Sequence, residues 1–227
     1  NGIRTSKTVN GVTTEYFLNG SQILAQKTGE STMWFFYDSE GNRIGMIRNG
    51  YAFYYMYNLQ GDVIGLMDAR DGRIVARYTY DAWGKCTVQN ADGWITGDAN
   101  PFRYRGYYYD TETDLYYVSS RYYDPEVGRW ISPEPNVDYG EFDEGAGLIG
   151  YNVYAYCANN PVNNLDPTGE FVISTAVLIG IGIGALIGGV AGGAYGYNKA
   201  VKNNVSKGQR WKYVVGYGIG GAIVGGV

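Results

Sequence analysis

The feature that most constrains this chain is a Tyr-Asx-x-x-Gly unit that keeps returning: Tyr37-Asp38-x-x-Gly41, Tyr57-Asn58-x-x-Gly61 and Tyr80-Asp81-x-x-Gly84, with the tyrosines 20 and 23 residues apart. Asp or Asn caps a tight turn with its own side chain, and the glycine supplies the positive φ such a turn needs. Around the second unit, Phe53-Tyr54-Tyr55-Met56-Tyr57 alternates before the turn and Val63-Ile64 follows it, so each unit reads as strand, turn, strand. Asp71-Gly72-Arg73-Ile74, between the last two units, is expected to form a further turn of the same type. A lone hairpin cannot bury an aromatic face in water, so the units must stack and share a core. The expected fold is mostly β, with an open edge strand around Thr13 to Leu18 ready to pair with further repeats or a second copy.

From Asn100 to Gly169 the tyrosine density rises, and Asp-Pro, Asn-Pro and Gly signals punctuate it into short strands. The chain holds 24 tyrosines and 35 glycines, which favours pleated surfaces joined by turns. Phe102-Arg103-Tyr104-Arg105-Gly106, Leu115-Tyr116-Tyr117, Arg121-Tyr122-Tyr123-Asp124-Pro125, Gly128-Arg129-Trp130, Asn152-Val153-Tyr154, Asn159-Asn160-Pro161 and Asp166-Pro167-Thr168-Gly169 follow in order. This series resembles the core-associated segment that closes RHS (YD-repeat) proteins, and the Tyr-Asx units resemble their repeats. The resemblance implies stacked hairpins forming part of a spiralling shell around a C-terminal toxin. It implies YD-repeat hairpins over 1–99, the core-associated segment over 100–170 and a pre-toxin segment over 171–227. The partners it implies are the rest of the shell, a downstream effector domain and target membrane lipid, and the location is secreted or cell-surface. A rival reading of such Tyr- and Gly-rich units is the hairpin module that binds choline or glycan in cell-wall proteins; there paired aromatics recur in place of Tyr-Asp-x-x-Gly.

Charge and the rarer residues narrow the chemistry. Residues 1–170 carry 13 basic and 22 acidic side chains, giving no electrostatic footprint for nucleic acid, whereas 171–227 carry five basic and no acidic ones. No histidine is present, which removes Ser-His-Asp and Cys-His catalysis and His-ligated zinc. Cys86 and Cys157 are too few for a disulfide framework and lack metal-ligand spacing; they read as two buried thiols, with a single disulfide as the alternative. The acidic run Asp138, Glu141, Asp143 and Glu144 lacks the EF-hand loop pattern, so neither a metal nor a cofactor is expected. A chain that begins without Met and ends inside an apolar run is expected to be part of something longer.

The resemblance also raises self-cleavage, because many RHS shells resemble aspartyl proteases that cut themselves after an Asp-Pro-x-Gly-Leu motif. Such chemistry needs two carboxylates sharing one proton. Here the cleavage region Asp166-Pro167-Thr168-Gly169 is followed by Glu170 in place of Leu, and Ser132-Pro133-Glu134-Pro135 stands where an Asp-Pro is typical. The catalytic candidates are Glu134 with Asp138 or Asp143. The competing role for Asp124 and Asp166 is to anchor Asp-Pro turns by accepting backbone hydrogen bonds.

Phe171 to Tyr197 is 27 residues without a charge, long enough as a helix to cross a ~30 Å hydrocarbon layer. Gly180, Gly184, Gly188, Gly192 and Gly196 recur every fourth residue, and Gly216 and Gly220 repeat that spacing in Tyr213–Val227. On a helix this makes a glycine zipper, a groove into which a second helix fits. The basic linker Asn198 to Lys212 joins the two runs, predicting an apolar α-helical hairpin that packs inside the shell or inserts into a target membrane.

Overall fold

The computed structural model describes residues 3–134, 151–170, 172–174, 194–203, 205–206, 209–210, 212–214 and 217. The chain forms two compact units, Asn1–Val172 and Ile173–Val227.

In the first unit, β1 (Ser6–Val9), β2 (Val12–Asn19), β3 (Gln22–Thr28), β4 (Ser31–Tyr37), β5 (Arg43–Arg48), β6 (Tyr51–Tyr57), β7 (Val63–Asp68), β8 (Ile74–Tyr80) and β9 (Cys86–Asn90) form one sheet in chain order. Every neighbouring pair is antiparallel. In such a meander alternate turns lie at the same end, so two strands and two turns make the period seen in the sequence. The Tyr-Asx turns after β4, β6 and β8 share one end.

Side chains alternate between the two faces of each strand. On one face Phe35 lies opposite Met46 and Met46 opposite Phe53, while Tyr55 lies opposite Leu66 and Leu66 opposite Ala76. All six are buried in the larger core cluster. The other face carries Phe17, Trp34 and Tyr54, each about half exposed at 51%, 53% and 49%. Among the described residues, stacking therefore hides one ring-bearing face and not both, because rings occur at both parities of the strands and one face alone has a covering layer.

Two expectations are corrected. Thr13 to Leu18 belongs to β2, which pairs with β1 on one side and β3 on the other, so among the described residues the N-terminal edge of the sheet is β1. Asn10-Gly11, with φ of 49° and 78°, is the tight hairpin turn that brings β1 back. The Asp71-Gly72 turn is not of the Tyr-Asx series. It comes one strand after the Asn58 turn, hence at the opposite end, and Asp68 anchors it: its carboxylate accepts the Arg70 N–H at 2.9 Å, and its own N–H donates to the Arg73 carbonyl at 2.8 Å.

After the sheet come a one-turn helix α1 (Thr96–Ala99) and a second antiparallel meander, β10 (Tyr108–Asp110), β11 (Leu115–Val118), β12 (Arg121–Asp124) and β13 (Arg129–Trp130). Phe102 joins it to the sheet's buried face, edge-on to Phe35 at 4.8 Å and to Tyr108 at 5.5 Å. Buried Asn100 accepts from the Tyr55 hydroxyl at 2.9 Å and donates to the Phe102 carbonyl at 2.6 Å. Arg4 fastens the free edge: its guanidinium lies 4.4–4.9 Å from the Tyr16, Tyr108 and Tyr117 ring centres and pairs with Asp110. A second cluster gathers Tyr104, Tyr107, Tyr116, Tyr123, Trp130, Tyr156 and Cys157.

In the second unit, residues 194–202 are helical and Ala200 is fully buried. Gly196 lies so close to the Tyr213 backbone that a β-carbon there would collide with it. Lys199 donates to the Tyr217 hydroxyl at 2.7 Å. Gly180, Gly184, Gly188, Gly192, Gly216 and Gly220, with most of the expected hairpin, lie outside the described residues. No helix among the described residues is long and apolar enough to cross a membrane.

Candidate functional site

The three Tyr-Asx turns share one construction. Asp38, Asn58 and Asp81 each accept the N–H groups two and four residues on through one side-chain oxygen, at 2.8–2.9 Å. The glycines Gly41, Gly61 and Gly84 take φ of 88°, 83° and 91°. What differs is what covers them.

The Asp38 turn is met by Gln22 of the sheet, whose amide donates to the Gly41 carbonyl at 3.2 Å. At the Asn58 turn, Asp62 accepts the Arg105 N–H at 2.8 Å, and the Val63 N–H donates to the Arg103 carbonyl at 3.1 Å. The Asp81 turn is capped throughout. Tyr104 donates to the Ala82 carbonyl at 3.0 Å, Tyr123 to Trp83 at 2.7 Å and Tyr116 to Gly84 at 2.9 Å. Three successive turn carbonyls thus each receive a hydroxyl from a different part of the closing segment. Burial pushes the Tyr116 and Tyr123 phenols above the usual tyrosine value and Tyr104 up to about 12, so all three are neutral donors at physiological pH. The Tyr104 ring lies over Gly84, where a side chain would have no room.

The second feature is a charge clamp at the far end of this segment. Arg121, at the start of β12, reaches Glu134 at 2.7 Å and Asp166 at 3.4 Å through the same nitrogen. Its guanidinium lies 4.1 Å from the Trp130 ring centre, and its side chain is 3% exposed. Burial lowers the Arg121 pKa against the pull of both carboxylates. Burial likewise raises Glu134; Arg121 opposes this, and the charges of Asp166 and Glu170 add to it. Asp166 is fixed from below, accepting the N–H groups of Thr168, Gly169 and Glu170 at 3.3, 2.8 and 3.2 Å. Ser120 donates to the carbonyls of Thr168 and Gly169, and Tyr107 to that of Asp166.

Sequence reasoning therefore has Glu134 and the Asp166–Glu170 stretch brought together. The suggested partners Asp138 and Asp143 lie outside the described residues. Asp124 and Asp166 both anchor Asp-Pro turns; Asp124 accepts from Glu126 at 2.8 Å and Val127 at 3.1 Å. Arg121 and Ser120 were missed as site residues. Arg121 stood inside a recognised motif, but nothing in its spacing marks it as the partner of residues 13 and 45 positions away. Arg121 favours the ionised forms of both carboxylates while burial pushes Glu134 toward its neutral form, and aspartyl-protease chemistry needs one proton shared between two carboxyl groups.

Cys86 and Cys157 are both free thiols, and burial pushes Cys157 up to about 12. No group of metal-ligating side chains occurs among the described residues.

The Teneurin YD-shell family model matches residues 19–162. The tRNA3(Ser)-specific nuclease WapA of Bacillus spizizenii is 40% identical over 177 residues, which cover 75% of this chain and 7% of WapA. Double-stranded DNA deaminase toxin A of Burkholderia cenocepacia is 38% identical over 99 residues, covering 43% of this chain and 6% of the toxin. Among solved structures, the crystal structure of TcdB2-TccC3-Cdc42 aligns with a TM-score of 0.52 at 22% identity, over 73% of this chain and 8% of that one, a likeness of fold alone. This chain spans less than a tenth of the length of each of these proteins.

Proposed function

Because this chain belongs to the Teneurin YD-shell family, we propose that it forms the closing end of the shell wall of a toxin-delivery protein. Residues 1–99 supply wall, 100–170 close it, and 171–227 lead toward a C-terminal effector. The observation that carries this reading is the capping of the Asp81 turn by Tyr104, Tyr116 and Tyr123: the wall's last repeat turn is also the seat on which the closing segment is fastened. The relatives support it from another side. A tRNA nuclease and a DNA deaminase carry different chemistries by name yet share this stretch, as expected for a carrier and not for the effector itself.

In the whole protein, limited trypsin digestion tests enclosure. Lys199, Lys202, Lys207, Arg210 and Lys212 should resist cleavage while the wall is intact, and should be cut once Gly84→Ala loosens the closing segment. Equal cleavage in both would overturn enclosure. The proposal extends to the zipper positions Gly180, Gly184, Gly188, Gly192, Gly196, Gly216 and Gly220 as the packing face of a hairpin that enters a target membrane after release, with the Gly196–Tyr213 approach in support. Flotation of residues 171–227 with anionic liposomes at low salt checks this, and protein left at the bottom of the gradient refutes it.

A second reading has one observation in its favour: Arg121 brings Glu134 beside Asp166, in the stretch that the resemblance to RHS shells marks as a cleavage region. Self-cleavage beside Glu170 would then use these two carboxylates. A denaturing gel should show two fragments that vanish in Glu134→Gln; a single intact band rules it out for this chain.

A further inference from the structure

The end of the sheet opposite the Tyr-Asx turns has a cleft that the shell reading does not use. It measures about 310 Å³ and is formed by three connections: the β5–β6 turn with Arg48, Asn49 and Tyr51, the β7–β8 turn with Arg70, and the stretch before α1 with Trp94, over a floor of Phe53. That volume is at the small end of the roughly 300–1,000 Å³ of ligand pockets, room for one ring with the rest of a chain outside.

Its walls have two characters. Trp94 stands edge-on to Tyr51 at 5.9 Å and 82° and to Phe53 at 5.5 Å and 88°, making an aromatic corner in which Tyr51 stays 42% exposed. The two arginines are not equivalent. Arg70 is spent, held to buried Asp68 at 2.6–3.2 Å and lying 4.4 Å from the Tyr51 ring centre. Arg48 is half-buried in the cleft, and its guanidinium makes no hydrogen bond or ion pair among the described residues. With Arg70 neutralised by Asp68, the cleft keeps one positive charge unpaired among the described residues, beside an apolar corner and the Asn49 amide.

We propose that this cleft binds an acidic saccharide, a pyranose bearing a carboxylate. The C–H face of the sugar lies against the aromatic corner, its carboxylate pairs with Arg48, and its rim hydroxyls reach Asn49. A nucleobase fits less well, because it stacks between parallel rings and these stand nearly perpendicular. A bare anion uses the charge and leaves the rings without a role. This assignment goes beyond the shell reading and does not depend on it, since no residue lining the cleft takes part in the capping of the Asp81 turn.

Titration of the full chain with D-glucuronate, followed by calorimetry, tests it. A one-ring ligand of this size should bind near about 1 mM, with D-glucose and acetate each at least about tenfold weaker. Arg48→Gln should weaken glucuronate about tenfold and leave glucose unchanged. Because Arg48 has no hydrogen-bond or ion-pair partner among the described residues, this variant should fold as the parent does; Tyr51→Ala, at a half-exposed ring, should weaken both sugars. Absence of saturable glucuronate binding, equal binding of acetate, an unchanged affinity in Arg48→Gln, or tighter binding of uridine monophosphate would each overturn the proposal.

Discussion

In the nine-stranded sheet, neighbours in sequence are neighbours in space: each strand pairs with the next, and each Tyr-Asx turn satisfies its own N–H groups from its own first side chain. In the closing segment the same residue type works at a distance. Tyr104, Tyr116 and Tyr123 spend their hydroxyls on carbonyls 22, 32 and 40 residues back, and Arg121 gathers Glu134 and Asp166. The sheet is extensible because its strand pairing and its Tyr-Asx turns are satisfied locally, strand by strand. The closing segment is specific because its tyrosine hydroxyls and Arg121 reach particular partners far away in the chain. On the proposed reading, the first property suits a wall and the second suits its end.

The largest expected effect comes from breaking the specific region where it is most charged. Arg121→Ala leaves Asp166 buried at 1% exposure beside Glu134 with no cation between them. Removing one partner of a buried ionic group costs about 3–5 kcal/mol. Urea unfolding should show that loss, with the closing-segment tyrosines becoming exposed before the sheet unfolds. A loss below about 1 kcal/mol would mean the clamp is no stronger than a surface pair, and the contrast between the two regions would fail there.

A sharper comparison uses two glycines that are equivalent in the repeat but not in their cover. Gly61→Ala pays only for a left-handed backbone, about 1–2 kcal/mol, because no atom lies within 4 Å of where the methyl would go. Gly84→Ala meets the same backbone cost and also drives a methyl into the Tyr104 ring, adding about 1–3 kcal/mol of overpacking. The difference between the two, measured by thermal or urea denaturation, isolates the docking of the closing segment on the wall. Equal costs would mean that Tyr104 moves aside freely and that the capped turn is not a seat.

This contrast also explains what was legible in the sequence. The Tyr-Asx turns could be read because their causes are local: an oxygen, two N–H groups and a glycine within five residues. Strand alternation could be read for the same reason, as in Tyr51–Tyr57, where Phe53 and Tyr55 are buried and Tyr54 is exposed. Turn identity failed at Asp71, because placing a turn at one end or the other requires counting strands, and a single Asp-Gly does not say how many have passed. The open edge was misplaced because the short strand Ser6–Val9 has little apolar signal and is held by Arg4, whose three tyrosine neighbours and Asp110 come from β2 and the closing segment. Arg121 and the triple capping of the Asp81 turn were invisible for a related reason: a contact across tens of residues leaves no period behind. The free thiols, one buried and one half-buried, settled as the simpler of the two readings of Cys86 and Cys157.

The smallest effect lies at the sheet's far end, where a turn is tied by charge and not by cover. Hydrogen bonds from Arg70, first its guanidinium and then its backbone N–H, hold the Asp68 carboxyl down to about 2. A carboxyl lowered on folding contributes stability that is fully present above its unfolded value of about 3.9. That contribution falls away as pH drops through the folded value of about 2. Asp68→Asn should therefore be less stable than the parent at neutral pH, and the gap should narrow as acid protonates Asp68 in the parent. Near-ultraviolet circular dichroism across this range checks it. A gap that stays constant with pH would show that Asp68 acts through its neutral hydrogen-bonding shape alone.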